Sequence, residues 1–151
     1  MTETNPTEVF SCFMATMGKA SSKIKAFLRA KLKDHNMDLT FEMLQVLNHL
    51  WDKDGVNQQE LANLLHKDKA SLTYLIDNLS KRELVQRTED ASDRRNKIIR
   101  LLPEGKRLEG IVRPWLCELS VAAGKEVPVA LLQDGITLFS RIYSNLCQLE
   151  D

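Results

Sequence analysis

Residues 57–105 read NQQELANLLHKDKASLTYLIDNLSKRELVQRTEDASDRRNKIIRLLPEG, and the rest of the chain is arranged around them. Asn57 stands three residues before Glu60. At that spacing an Asn cap and an acidic side chain satisfy each other's backbone donors at a helix start. Leu61, Leu64 and Leu65 form the next apolar stripe, which the polar pair His66-Lys67 breaks. Asp68 is a second cap. Leu72, Leu75, Ile76 and Leu79 then recur at i, i+3, i+4 and i+7, the spacing of a buried helical face. Two short helices with a brief polar connection predict a helix-turn-helix.

The second helix turns Lys69, Ala70, Ser71, Thr73, Tyr74, Asn78 and Lys81 away from its apolar stripe. That face is small and polar at the helix start, the end that a recognition helix pushes into a major groove. Short side chains let the backbone approach, and hydroxyls and amides bond to phosphates or base edges. An ordinary solvated helix face has the same composition, so the helix alone does not decide the function. The segment after it is more decisive. Leu84–Thr88 and Lys97–Leu101 read as short strands around Glu89-Asp90-Ala91-Ser92-Asp93-Arg94-Arg95-Asn96, too polar for a core and suited to a hairpin tip. A two-stranded wing after a helix-turn-helix is a winged-helix arrangement. Arg94 and Arg95 at its tip, with Lys97 at its base, suit a narrow minor groove, whose negative potential attracts arginine. Asp93 is expected to pair with a guanidinium and hold the loop in shape.

These residues resemble the MarR (multiple antibiotic resistance regulator) family of bacterial winged-helix transcription regulators. Asp93-Arg94-Arg95 matches the Asp-x-Arg of the family's wing. Ile99-Arg100-Leu101-Leu102-Pro103-Glu104-Gly105 matches the apolar-x-Leu-Thr-x-x-Gly after that wing, and Ser71-Leu72-Thr73-Tyr74-Leu75-Ile76 fits its recognition helix. Two positions depart from the pattern. Glu83 stands where the family commonly has Gly after the recognition helix. A non-glycine residue in the left-handed region costs roughly 1 kcal/mol, so the helix is expected to end differently. Leu102 replaces the Thr whose hydroxyl would cap the next helix, although Pro103 still favours a start there.

Around this stretch the chain reads as helix. Thr7 is expected to cap a long helix reaching about His35, with Val9, Phe10, Phe13, Met14, Met17, Ile24, Phe27 and Leu28 near helical spacing. Thr40 caps a second helix over 41–51, and Val56 is a strand stub that pairs with the wing. A long helix starts at Pro103 and runs to about Gly124, with Pro114 expected to bend or interrupt it. The last runs from about Pro128 to Leu149, with Leu131, Leu132, Ile136, Phe139, Ile142, Tyr143 and Leu146 on one face. The terminal helices carry more apolar surface than one small winged lobe needs, and a second copy is the simplest partner for it. The fold class is therefore mainly α with a small β-wing (α+β), a winged helix-turn-helix with N- and C-terminal dimerisation helices. The resemblance implies a single domain over 1–151. In it 40–102 forms the DNA-binding lobe, and 7–35 and 103–149 form the dimerisation helices.

Net charge is zero, from 21 basic and 21 acidic residues, which by itself argues against a nucleic-acid binder. The distribution answers this. Residues 66–107 hold eleven basic and seven acidic side chains, +4, and the remainder is −4. Local sign sets the field at a groove-facing surface. No run approaches the ~18 consecutive apolar residues of a membrane span, and no signal-peptide pattern opens the chain, so a cytoplasmic protein is expected, with no membrane partner.

The remaining chemistry-bearing residues offer no catalytic set. Cys12, Cys117 and Cys147 are far apart with no Cys-x-x-Cys. Cys12 lies among Phe10, Phe13 and Met14, which predicts a packed, inert thiol. Peroxide-sensing members of the resembled family place a reactive cysteine nearby, so a thiol-based regulator using Cys12 is one alternative. Their supporting tyrosines are missing, since Tyr74 and Tyr143 fall elsewhere. His35, His49 and His66 show no metal spacing, and neither metal nor cofactor is expected. The chain is thus expected not to be an enzyme. The implied partners are double-stranded DNA with a pseudo-palindromic operator, a second copy in a homodimer, and a small aromatic or phenolic effector that releases a repressor from DNA. The rival from another class is a winged-helix protein-interaction module without DNA binding.

Overall fold

The computed structural model of the chain describes residues 5–93 and 95–149. Its elements are α1 (Pro6–Asp34), α2 (Phe41–Asp52), β1 (Val56–Asn57), α3 (Gln58–Leu64), α4 (Lys69–Lys81), β2 (Val85–Glu89), β3 (Lys97–Leu101), α5 (Pro103–Ala123) and α6 (Val129–Cys147). The expected winged helix-turn-helix is present, and its strands form one antiparallel sheet in the order β1-β3-β2. Val56 pairs with Ile99, in keeping with its isolated apolar position. The first wing strand starts one residue later than expected, because Leu84 closes the preceding helix instead. The chain divides into two compact units between Trp115 and Leu116.

The core belongs to the winged lobe. Val46, Leu47 and Leu50 of α2, Leu61 of α3, Leu72, Ile76 and Leu79 of α4, and Val56, Val85 and Ile99 of the sheet are fully buried or nearly so. Burying such a side chain contributes roughly 1.5–3 kcal/mol relative to leaving it exposed. The stripe read on α4 is buried at all four positions. That on α3 is not, since Leu64 is 47% exposed and Ala62 takes its place in the core.

Caps explain the helix boundaries. Thr40 accepts the Met43 N–H at 3.2 Å. Asn5, not Thr7, caps α1: its Oδ1 accepts the Thr7 N–H at 3.0 Å, and Pro6 takes the first helical position. Asn57 Oδ1 accepts from the Gln59 and Glu60 N–H groups, but the reciprocal half of the expected box is absent, and Glu60 instead pairs with Lys53 at 3.1 Å. Glu83 adopts φ +56, so α4 ends as a glycine would end it. The Glu83 N–H donates to Ser80 O at 2.9 Å and the Leu84 N–H to Leu79 O at 3.0 Å, the two bonds of a Schellman motif, with Leu79 and Leu84 both buried beneath it.

Gly105 shows why the first turn of α5 needs glycine. A Cβ there would lie 2.1 Å from Leu84 O, and the Gly105 carbonyl accepts the Trp51 indole N–H at 2.9 Å. Pro114 does not interrupt α5, which is continuous across it. Both Pro114 and Gly110, the residue whose carbonyl loses its helical donor, are exposed, so solvent can take the missing N–H's place.

The terminal helices differ from the lobe. In α1 only Leu28 and Leu32 are buried, and Val9 and Phe10 are about half exposed. Cys12 is exposed, not packed, as are Cys117 and Cys147. No residue of α6 is buried. No helix among the described residues is long and apolar enough to cross a membrane.

Candidate nucleic-acid interface

The start of α4 is fixed by Asp68, whose Oδ1 accepts the Ser71 N–H at 2.8 Å and whose Oδ2 accepts the Ser71 hydroxyl at 2.6 Å. These bonds, the hydroxyl's first, hold the Asp68 carboxyl below the usual carboxylate range. With its apolar stripe buried, α4 exposes Lys69, Ala70, Ser71, Tyr74 and Lys81, and half-buries Thr73 and Asn78. Tyr74 is the large exposed ring of this face, at 67%. Asn78 is committed within the chain. Its amide donates to Tyr74 O at 2.8 Å, and its Oδ1 accepts from Arg82 at 3.4 Å. Arg82 also bonds Asp38 in the α1–α2 turn, at 2.6 Å to Oδ2 and 2.7 Å to the carbonyl.

The wing tip is shaped by side chains that accept main-chain donors. Asp90 Oδ1 accepts the Ser92 hydroxyl at 2.7 Å and its N–H at 2.8 Å, which keeps the Asp90 carboxyl low. Asp93 Oδ1 accepts the Arg95 N–H at 3.0 Å. The expected brace is thus a bond to the Arg95 main chain, not to its guanidinium, and the Arg95 side chain is left exposed. Arg94 lies outside the described residues. Lys97 pairs with Glu89 across the two strands at 3.1 Å. Lys69, Arg95 and Lys97 line one cleft of about 380 Å³ together with Asn57, Gln58 and Gln59, so α3, α4 and the wing meet there.

Sequence reasoning misses the residue that joins these elements. Arg87 of β2 is mostly buried and bonds three ways: to Asp77 Oδ1, to Gln58 Oε1 at 3.0 Å and to Thr73 O at 3.3 Å. Gln58 in turn donates from Nε2 to Thr73 Oγ1 at 3.1 Å. A signal exists. Period-two alternation puts Arg87 on the face of buried Val85, and an inward arginine needs acceptors. Among the described residues no group of three or more His, Cys, Asp or Glu side chains is placed to hold a metal ion.

A buried-stripe helix, a capped polar face and an adjoining basic hairpin define a winged-helix protein. Residues 39–97 match the MarR family. The transcriptional regulator HosA of Escherichia coli O127:H6 is 29% identical over 98 residues, 63% of this chain and 73% of HosA. The Staphylococcus aureus protein MepR, in a DNA-binding conformation, superposes with a TM-score of 0.79 at 23% identity, over 89% of this chain and 98% of that one. CouR of Rhodococcus jostii RHA1, bound to p-coumaroyl-CoA, gives 0.73 at 25% identity, over 84% and 88%. The resemblance to the MarR family thus lies in the winged lobe, residues 39–97.

Proposed function

We propose that the protein is a cytoplasmic, homodimeric transcription regulator that binds double-stranded DNA and acts as a repressor. Two copies pair through the exposed apolar faces of their terminal helices and present two α4 helices to a pseudo-palindromic operator. Lys69, Ala70, Ser71, Thr73 and Tyr74 face the major groove, and Arg94 and Arg95 of each wing reach the adjacent minor groove. Lys81, farther along α4, faces a phosphate, and Lys97 and Asp93 shape the wing. Asn78 acts through its bonds within α4. The observation that carries this reading is the capped start of α4, small and polar on a helix whose other face is buried, opening onto the cleft that also receives Arg95. An aromatic or phenolic effector, of the kind named for CouR, would shift the dimer toward a lobe spacing unsuited to DNA.

Selection of binding sites from random duplex DNA at several salt concentrations tests this. The expected result is a pseudo-palindrome whose affinity falls steeply with salt. Arg95→Ala should lose most on sites with a narrow A·T-rich groove. Asp93→Ala should also weaken binding, although it removes a negative charge near phosphate, because the tip must then be ordered on binding. Tighter binding by Asp93→Ala would refute the brace. Absence of DNA binding at every salt would instead favour a protein-interaction module, for which exposed Tyr74 and Leu64 are the natural anchors.

A further inference from the structure

At the start of α4 the exposed Ser71 hydroxyl and the half-buried Thr73 hydroxyl are tied down by partners of opposite chemistry. Asp68 is ionised and accepts only, so the Ser71 hydroxyl must donate to it at 2.6 Å. Its proton is used, and what Ser71 presents outward is lone pairs. Arg87 donates only, so the Gln58 amide must turn its oxygen toward the guanidinium, at 3.0 Å, and its NH₂ toward Thr73 Oγ1, at 3.1 Å. Thr73 therefore accepts inward and keeps its proton. Hydroxyls within helices commonly give that proton to the carbonyl four residues back, as Thr16, Ser120, Thr137 and Ser140 do here. No such bond forms from Thr73 among the described residues.

We propose that Asp68 and Gln58 set opposite hydrogen-bonding polarities on this face. Ser71 reads a base edge that donates, the exocyclic amine of adenine or cytosine, and Thr73 reads one that accepts, the keto oxygen of guanine or thymine. Gln58 and Asp68 are then specificity-determining residues that act through a neighbour's hydroxyl. The inference rests on the reading of α4 as the helix that enters the major groove, where amine and keto groups occupy distinct positions.

Gln58→Glu isolates the effect. A carboxylate at 58 keeps an acceptor for Arg87, and an acidic residue suits the first position of α3. It can no longer donate to Thr73, so the hydroxyl must donate inward and turn lone pairs outward. The experiment measures binding of the parent, Thr73→Val, Gln58→Glu and Ser71→Ala to the selected operator and to each of its single-base-pair variants, with thermal unfolding of every protein. At one position the parent should prefer a keto base by about tenfold. Thr73→Val should flatten that preference, and Gln58→Glu should reverse it at the same position. Ser71→Ala should flatten an amine preference at a different one. A Gln58→Glu protein that folds but keeps the parental ranking, or loses affinity equally on every sequence, overturns the inference. If Gln58→Glu does not fold, a keto preference at the position flattened by Ser71→Ala overturns it. A parent that binds no DNA sinks the DNA-binding reading and this inference together, whereas a parent that binds DNA without sequence preference sinks this inference alone.

Discussion

The winged lobe and the last helix use apolar residues in opposite ways. In the lobe, Leu47, Leu50, Leu61, Leu72, Ile76, Leu79 and Ile99 vanish from the surface, and turns that look irregular are closed by paired backbone donors. In α6, Leu131, Leu132, Ile136, Phe139, Tyr143 and Leu146 lie along one face, and each remains at least 41% exposed. The first region completes its core within one chain. In the proposed dimer the second becomes a half-interface, since a contiguous exposed apolar face of this kind is where association is expected. The lobe's stability should therefore be a property of the single chain, and that of α6 a property of concentration.

The largest effect expected is on assembly. Ile136→Asp combined with Phe139→Asp puts two charges into the α6 face and should abolish pairing at micromolar concentration, while near-ultraviolet circular dichroism of the lobe aromatics persists. If the doubly substituted protein still pairs, the interface lies elsewhere. Next comes Leu47→Ala, which opens a cavity in the lobe. It should lower unfolding stability by about 2–5 kcal/mol in urea titrations whether or not the protein is paired. A loss below ~1 kcal/mol would mean that the lobe core collapses around the gap.

Smaller effects probe how the lobe closes its helices. Glu83→Gly relieves a left-handed backbone at φ +56 and should stabilise by about 1 kcal/mol, read as a raised urea midpoint. The smallest concerns Asp68. Its folded pKa is lowered from 3.8 by the bonds to Ser71, so its contribution is present above pH 3.8 and is lost as pH falls through the lower folded value. Asp68→Asn retains a good cap. The parent's advantage over it should shrink only on that acid side, and an advantage that instead grew toward low pH would contradict the assignment.

Much of the lobe is legible in the sequence because local rules agree with the tertiary structure. Leu72, Leu75, Ile76 and Leu79 sit at helical spacing and are buried, and Thr40, Asn57 and Asp68 cap where residues of their type cap. The illegible features depend on residues distant in sequence. Arg87 meets Gln58 and Asp77 only after the wing folds back on α3 and α4, and no spacing rule connects those positions. Glu83 looks unfavourable when its own strain is weighed without the two hydrogen bonds and the buried Leu79–Leu84 pair that offset it. For Asp93, opposite charge suggests a guanidinium partner, yet a carboxylate two residues before an N–H reaches the main chain first. The apolar neighbours of Cys12 suggest a packed thiol. Those neighbours belong to a helix whose face is itself largely uncovered within one chain, so apolar surroundings in sequence do not mean burial.

The claim that one region is complete and the other awaits a second copy is tested most directly by the mass of the parent protein in solution. Light scattering at micromolar concentration, with the chain at 17.2 kDa, should return twice that value across a tenfold dilution. A species of one chain mass throughout would contradict the account, because the apolar face of α6 would then stand open to water with nothing to cover it.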